Sequence, residues 1–198
     1  MIASQFKLKN TVKYPTSLIF GGLSKLGLEI ADSLLEQGGY VIIVDNYTEE
    51  NLGRLQVFPK DSMISFVDYT TLPNLDEELR RLDYVFFFNH ETNSLDKKRG
   101  VQEFLKVSNY LDTVLALTSK FDAKFLLTTS IKAHQISLYN DDFKLMHHEE
   151  HKIYTDSELQ RNSESMVLEA IEKSNLDGRI VRMAEIIGDG IDFSICIF

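Results

Sequence analysis

Backbone amides, rather than side chains, offer the first chemistry in this sequence. Gly21, Gly22 and Gly27 punctuate the stretch Ser17-Leu18-Ile19-Phe20-Gly21-Gly22-Leu23-Ser24-Lys25-Leu26-Gly27-Leu28-Glu29-Ile30, and Asp45 follows Gly27 by eighteen residues. Glycines at 21 and 22 permit backbone angles that a Cβ forbids and let the main chain approach a diphosphate closely. A helix beginning near Lys25 and Leu26 points unpaired N–H groups and the positive end of its dipole at the same place. Gly27 lets that helix sit close against the strand before it. Asp45, followed by Asn46, can accept both hydroxyls of an adenosine ribose and would repel a 2′-phosphate. Strand, turn, helix, strand and acid in this order describe a dinucleotide site and favour NAD over NADP. Lys25 argues the other way, since a cation in the turn would serve a 2′-phosphate. The alternative is an empty turn of the same shape.

These groups need a frame, and the apolar pattern supplies one. Residues 17–20 form a first strand, and a helix over 25–37 carries Leu26, Ile30, Leu34 and Leu35 on one face before Gly38-Gly39 stops it. Residues 40–44 form a second strand, 48–57 a short helix, 62–67 a third strand and 74–81 a short acidic helix. Tyr84-Val85-Phe86-Phe87-Phe88 is apolar without alternation, as expected of a strand covered on both faces. A long helix is expected over 97–119, a fifth strand over 124–128, a polar loop, a helix over 156–173 and a sixth strand over 179–182. Strands alternating with helices of this length predict an α/β fold, a Rossmann-type doubly wound parallel sheet with strand order 3-2-1-4-5-6. Residues 1–15 are expected to be a polar lead-in to a single domain over 16–190.

With 43% hydrophobic and 26% charged residues, the 198-residue chain has ordinary globular composition and length for one sizeable core. A net charge of -9 argues against an extended nucleic-acid surface, which needs a basic face. One cysteine, Cys196, excludes an internal disulfide framework and any cysteine cluster for zinc. No run reaches the ~20 apolar residues that span a bilayer. The expectation is a soluble cytoplasmic protein with no membrane contact.

At this point the chain resembles the extended short-chain dehydrogenase/reductase family, the NAD-dependent epimerases and dehydratases that act on nucleotide sugars. Gly21, Gly22 and Gly27 match the family's glycine signature, with Ser24 in place of its middle glycine. Asp45-Asn46 matches the ribose-binding acid and its neighbour, and Asp68 the acid that meets the adenine amino group. Asn89-His90 stand where the family usually has two alanines beside the cofactor, and Asn109 and Thr113 match positions on the long helix. The resemblance implies bound NAD, a nucleotide-sugar substrate and a homodimer formed through helices 97–119 and 156–173.

The family's active-site serine falls on Ser130, whose hydroxyl would bond the reacting sugar oxygen; a polar strand end is the plainer reading of the same residue. The family's Tyr-x-x-x-Lys pair, in which the lysine charge lowers the tyrosine pKa, is not intact. Tyr154 is the candidate proton donor, with Glu158 at the lysine position. Glu164, Met166 and Val167, with Arg182 eighteen residues after Glu164, match the family's helix and sixth strand without gaps, and counting back from Glu164 puts Gln160 at the lysine position and Asp156 at the tyrosine position instead. The expectation is therefore an NAD(H)-binding domain with altered or impaired catalysis, lacking a complete substrate lobe. Residues 191–198 are expected to begin a truncated or missing lobe. A non-catalytic NAD-sensing or scaffold domain is the second reading, and a Rossmann domain that binds no nucleotide the third.

Two further clusters are read as structural. His147-His148-Glu149-Glu150-His151 lacks the order of a His-Glu-x-x-His zinc site and is expected to be a solvated polar segment, so no metal is assigned. Lys97-Lys98-Arg99 is expected to be the solvated start of the long helix. His134 is expected on a surface loop.

Overall fold

The computed structural model describes residues 13–46, 48–59, 63–88, 98–131 and 153–183. In chain order these form β1 (Thr16–Phe20), α1 (Lys25–Glu36), β2 (Tyr40–Asp45), α2 (Glu49–Arg54), β3 (Ile64–Asp68), α3 (Leu75–Glu78), β4 (Tyr84–Phe87) and β5 (Lys98–Gly100). There follow α4 (Val101–Lys120), β6 (Lys124–Ser130), β7 (Ile153–Thr155), α5 (Asp156–Ser174) and β8 (Gly178–Met183). Six strands make one parallel sheet in the order β3-β2-β1-β4-β6-β8. Counted along that sheet alone, this is the 3-2-1-4-5-6 order expected from the alternation of strands and helices.

The central strands β1 and β2 are apolar on both faces because helices cover both. Leu18, Phe20, Ile42, Val44, Val85 and Phe87 pack on one side with Leu111 and Val114 of α4 and Val167 of α5. Ile19, Val41 and Ile43, their alternating neighbours, pack on the other side with Leu23, Ala31 and Leu55. Leu26, Ile30, Leu34 and Leu35, the predicted apolar face of α1, lie half-buried against this second cluster. Gly38, at φ +79°, ends the α1 turn, and its N–H bonds Leu35 O at 2.9 Å while that of Gly39 bonds Leu34 O at 2.9 Å.

Four expectations are corrected. The helix expected over 97–119 begins at Val101; Lys98–Gly100 is a strand, not a solvated helix start. Its partner is β7, so Tyr154 lies in an antiparallel ribbon opposite Arg99 rather than in a loop. These three-residue strands carry no periodicity of their own and exist because the chain brings two distant segments together. The acidic helix expected over 74–81 is a 3-10 turn over Tyr69–Asn74, containing Pro73, followed by only one turn of α-helix in α3. The strands also run further than expected: β2 extends to Asp45 and β6 to Ser130, which places both residues on the sheet's carboxyl edge. Asn89, His90, His134, the cluster 147–151 and residues 184–198 lie outside the described residues.

Candidate functional site

The carboxyl ends of β1, β2 and β4 meet where the chain's path across the sheet reverses, with β2 on one side of β1 and β4 on the other. In open α/β sheets a crevice opens at such a point. The turn that fills it is set by close packing. Gly21 sits at φ +70°, and a Cβ there would lie 1.8 Å from Phe88 O. The Gly21 N–H bonds Val44 O at 2.9 Å, tying the turn to β2. A Cβ on Gly27 would lie 2.6 Å from Gly22 O, so α1 rests directly on the turn.

Ser24 is unstrained, its backbone being extended (φ −63°, ψ 157°). It caps α1: its Oγ accepts the Gly27 N–H at 3.1 Å and its carbonyl accepts the Leu28 N–H at 2.9 Å. The amides of Lys25 and Leu26 lie in the first turn of α1, where a helix provides no backbone acceptor. The Lys25 side chain is exposed beside them.

Asp45 is buried, 9% exposed, and its carboxylate organises the turn. Oδ2 accepts the Leu23 N–H at 3.0 Å, and Oδ1 accepts the Asn46 N–H at 2.8 Å and the Tyr69 hydroxyl at 3.3 Å. Arg54 Nη1 donates to Leu23 O at 3.0 Å, so the Leu23 residue is held through both its N–H and its C=O. Burial, and then the adjacent Asp45 charge, push the Tyr69 phenol well above its ordinary range. Asp68 is the register partner of Asp45 across β3, and its Oδ1 accepts Thr70 N–H at 2.9 Å and Thr70 Oγ1 at 2.6 Å. Asn46 is exposed at the mouth of the turn. Asn109 is exposed on α4, where its carbonyl accepts Thr113 Oγ1 at 2.9 Å.

A second polar group lies at the ends of β6 and β8. The Ser130 N–H donates to Gln160 Oε1 at 2.7 Å, and Thr129 Oγ1 to Glu164 Oε1 at 2.6 Å. Arg182 completes the pair with Glu164 at 2.7 Å, and bonding to that carboxylate raises its guanidinium pKa. The spacing of Glu164 and Arg182 sets only a register; their ion pair is visible only in the structure. Ser157, Gln160 and Glu164 are all buried on α5, and the Ser157 hydroxyl has no hydrogen-bond partner among the described residues. No group able to hold a metal ion occurs among the described residues.

Sequence reasoning missed Tyr69 and Arg54. Tyr69 follows the acid that ends β3, which is the signal that could have found it; nothing local marks Arg54.

No protein-family model and no curated protein matches the chain. Solved structures do. UDP-N-acetylglucosamine 4-epimerase from Bacillus cereus superposes with a TM-score of 0.61 at 15% identity, over 89% of this chain and 55% of that one. The fold is that of the epimerases and short-chain dehydrogenases/reductases. UDP-glucose 4-epimerase from Thermotoga maritima, solved with UDP-glucose, gives a TM-score of 0.57 at 18% identity over 84% of this chain and 54% of its own. A short-chain type dehydrogenase/reductase from Mycobacterium ulcerans gives 0.59 at 17% identity, over 92% and 70%. The chain thus spans about half the length of the epimerases it matches. Among the described residues, no helix is long and apolar enough to cross a membrane.

Proposed function

We propose that the chain is an NAD(H)-binding Rossmann domain of the epimerase/dehydratase type, with altered catalysis. The observation that carries this reading is the bond from the Leu23 N–H to Asp45. It couples the glycine turn to the acid on β2, so the diphosphate-binding and ribose-binding groups form one rigid unit. The donor set fits the adenosine diphosphate half of NAD. Gly21, Gly22, Ser24 and Gly27 would let the main chain approach the diphosphate, with the Lys25 and Leu26 amides as its donors. Asp45 and Asn46 would bind the ribose, and Asp68, Asn89 and Asn109 would border the rest of the cofactor.

When bound, the nicotinamide takes or returns a hydride. The chain's own part in such a reaction is to hold the sugar hydroxyl and move its proton. Ser130 would orient that hydroxyl and Tyr154 would exchange its proton. A cation beside the tyrosine would lower its pKa, but Glu158 and Gln160 stand at the two candidate positions, and Gln160 is engaged with the Ser130 main chain. Proton transfer is therefore slow in this reading. The substrate class is a nucleotide sugar, as in the Thermotoga maritima structure solved with UDP-glucose.

The second reading is a non-catalytic NAD-sensing or scaffold domain, favoured by the neutral Gln160. In either case a homodimer through α4 and α5 is proposed. These helices pack together, with Asn162 Nδ2 bonding Ser108 Oγ at 3.1 Å, and they carry Leu105 and Leu168 at 51% and 50% exposure.

Calorimetric titration with NAD, NADH and NADP tests the reading. Binding of NAD or NADH in preference to NADP supports it; no binding of any of the three removes it. Adding UDP-glucose to the NAD complex then separates the two forms: an enzyme converts the sugar nucleotide or shows reduced nicotinamide absorbance, at least transiently before the hydride returns, and a sensing domain does neither.

A further inference from the structure

The Asp45 carboxylate already receives more donors than a ribose diol can tolerate. A carboxylate offers about four acceptor sites, two on each oxygen. Among the described residues, Asn46 N–H and the Tyr69 hydroxyl take both sites of Oδ1, and Leu23 N–H takes one of Oδ2. A vicinal diol that sets one hydroxyl on each oxygen requires a site on each. Oδ1 has none while the phenol is there.

Two of the three donors are main chain and cannot leave without unravelling the turn. Leu23 is also gripped by Arg54, and Asn46 is the next residue along the chain. Tyr69 is a side chain, and its 3.3 Å contact is longer than the usual 2.5–3.0 Å of an O–H···O bond. Its ring, by contrast, is firmly set, stacked on Phe20 at 4.7 Å and packed against Tyr110 at 5.1 Å. The ring therefore keeps its position whether or not the hydroxyl is present. Burial and the Asp45 charge keep the phenol protonated, so it remains a donor throughout the physiological range.

We propose that Tyr69 determines specificity for the adenosine ribose: its hydroxyl occupies on Asp45 the place that one ribose hydroxyl requires. This rests on the nucleotide reading above. The chain then binds the diol through a single hydroxyl, on Oδ2, and is nearly blind to the loss of the other.

The test is calorimetric binding of NAD and of two analogues whose adenosine ribose lacks the 2′- or the 3′-hydroxyl, to the full chain and to Tyr69→Phe. The wild-type chain is expected to bind one of the two analogues within about twofold of NAD. Tyr69→Phe is expected to bind NAD about tenfold tighter than wild type, one hydrogen bond's worth, and to discriminate against both analogues. Unchanged or weaker NAD binding by Tyr69→Phe overturns the proposal, as does an equal gain for all three ligands, which would indicate a general packing effect. The wild-type comparison stands without the variant: two analogues that both bind at least tenfold worse than NAD overturn the proposal too. If NAD binds neither protein, it is the nucleotide reading that fails.

Discussion

Leu23 and Asp45 are joined by a 3.0 Å bond from a main-chain N–H to a buried carboxylate, across the gap between the β1–α1 turn and the end of β2. The acid thus has a structural duty independent of any ligand. Replacing it with alanine leaves the Leu23 N–H, the Asn46 N–H and the Tyr69 hydroxyl without their acceptor. Asp45→Ala is expected to cost about 1–3 kcal/mol of stability, read as a Tm lower by several degrees in a chain of this size. It should also weaken NAD binding at least tenfold. A variant that loses binding while keeping wild-type Tm would show that the bond to Leu23 contributes nothing to the fold.

Gly21 and Ser24 lie in the same turn between β1 and α1 but differ in what they tolerate. Gly21→Ala puts a Cβ at positive φ and against Phe88 O, and is expected to destabilise by at least about 3 kcal/mol. Ser24→Gly has no such obstacle and loses only a cap, a few tenths of a kcal/mol, whereas Ser24→Ala costs about 1 kcal/mol. Urea unfolding of the three variants checks the order.

Asp83 secures the start of β1 by accepting the Thr16 N–H at 2.8 Å and the Arg81 guanidinium at 2.7 Å. Burial alone would raise its pKa, but these bonds outweigh it and hold the carboxyl below its ordinary 3.8. A carboxyl lowered on folding contributes stability that is fully present above its unfolded pKa and is lost as pH falls through the folded one. Acid unfolding of the wild type should therefore be steeper below about pH 4 than that of Asp83→Asn, measured as the pH dependence of the urea midpoint. Parallel curves would show that Asp83 plays no part.

Tyr154 and Ser130 carry the proposed chemistry. If sugar nucleotides drive any reduction of bound NAD, Tyr154→Phe should slow it about a hundredfold, the ordinary worth of a general acid or base. Unchanged turnover would remove Tyr154 from that role.

Leu105 and Leu168 bear on assembly. Light scattering is expected to report a dimer for the wild type and a monomer for the double change Leu105→Glu, Leu168→Glu. A wild-type monomer would end the proposal.

Legibility of the fold and site in the sequence followed the range of the interactions. The uninterrupted apolar runs Val41–Val44 and Tyr84–Phe88 announced strands of a helix-covered sheet; β2 is buried at every residue, while Tyr84 at the start of β4 stays exposed. The glycine turn and Asp45 were legible for the same local reason: φ +70° at Gly21 and a strand-end acid are properties of neighbouring residues. The short strands Lys98–Gly100 and Ile153–Thr155 were not, because neither segment is a strand until the other pairs with it.

The residues around Asp45 divide in the same way. By itself, the sequence determined the six strands of the parallel sheet, their order in it and the place of the acid near a strand end. Only the tertiary structure decided what that acid touches. Tyr69 reaches Asp45 because β2 and β3 pair with Asp45 opposite Asp68, and Arg54 reaches Leu23 because α2 folds back over the turn. Gln160 meets Ser130 because α5 packs over the end of β6. Such contacts depend on register and packing across the sheet, which no local pattern encodes.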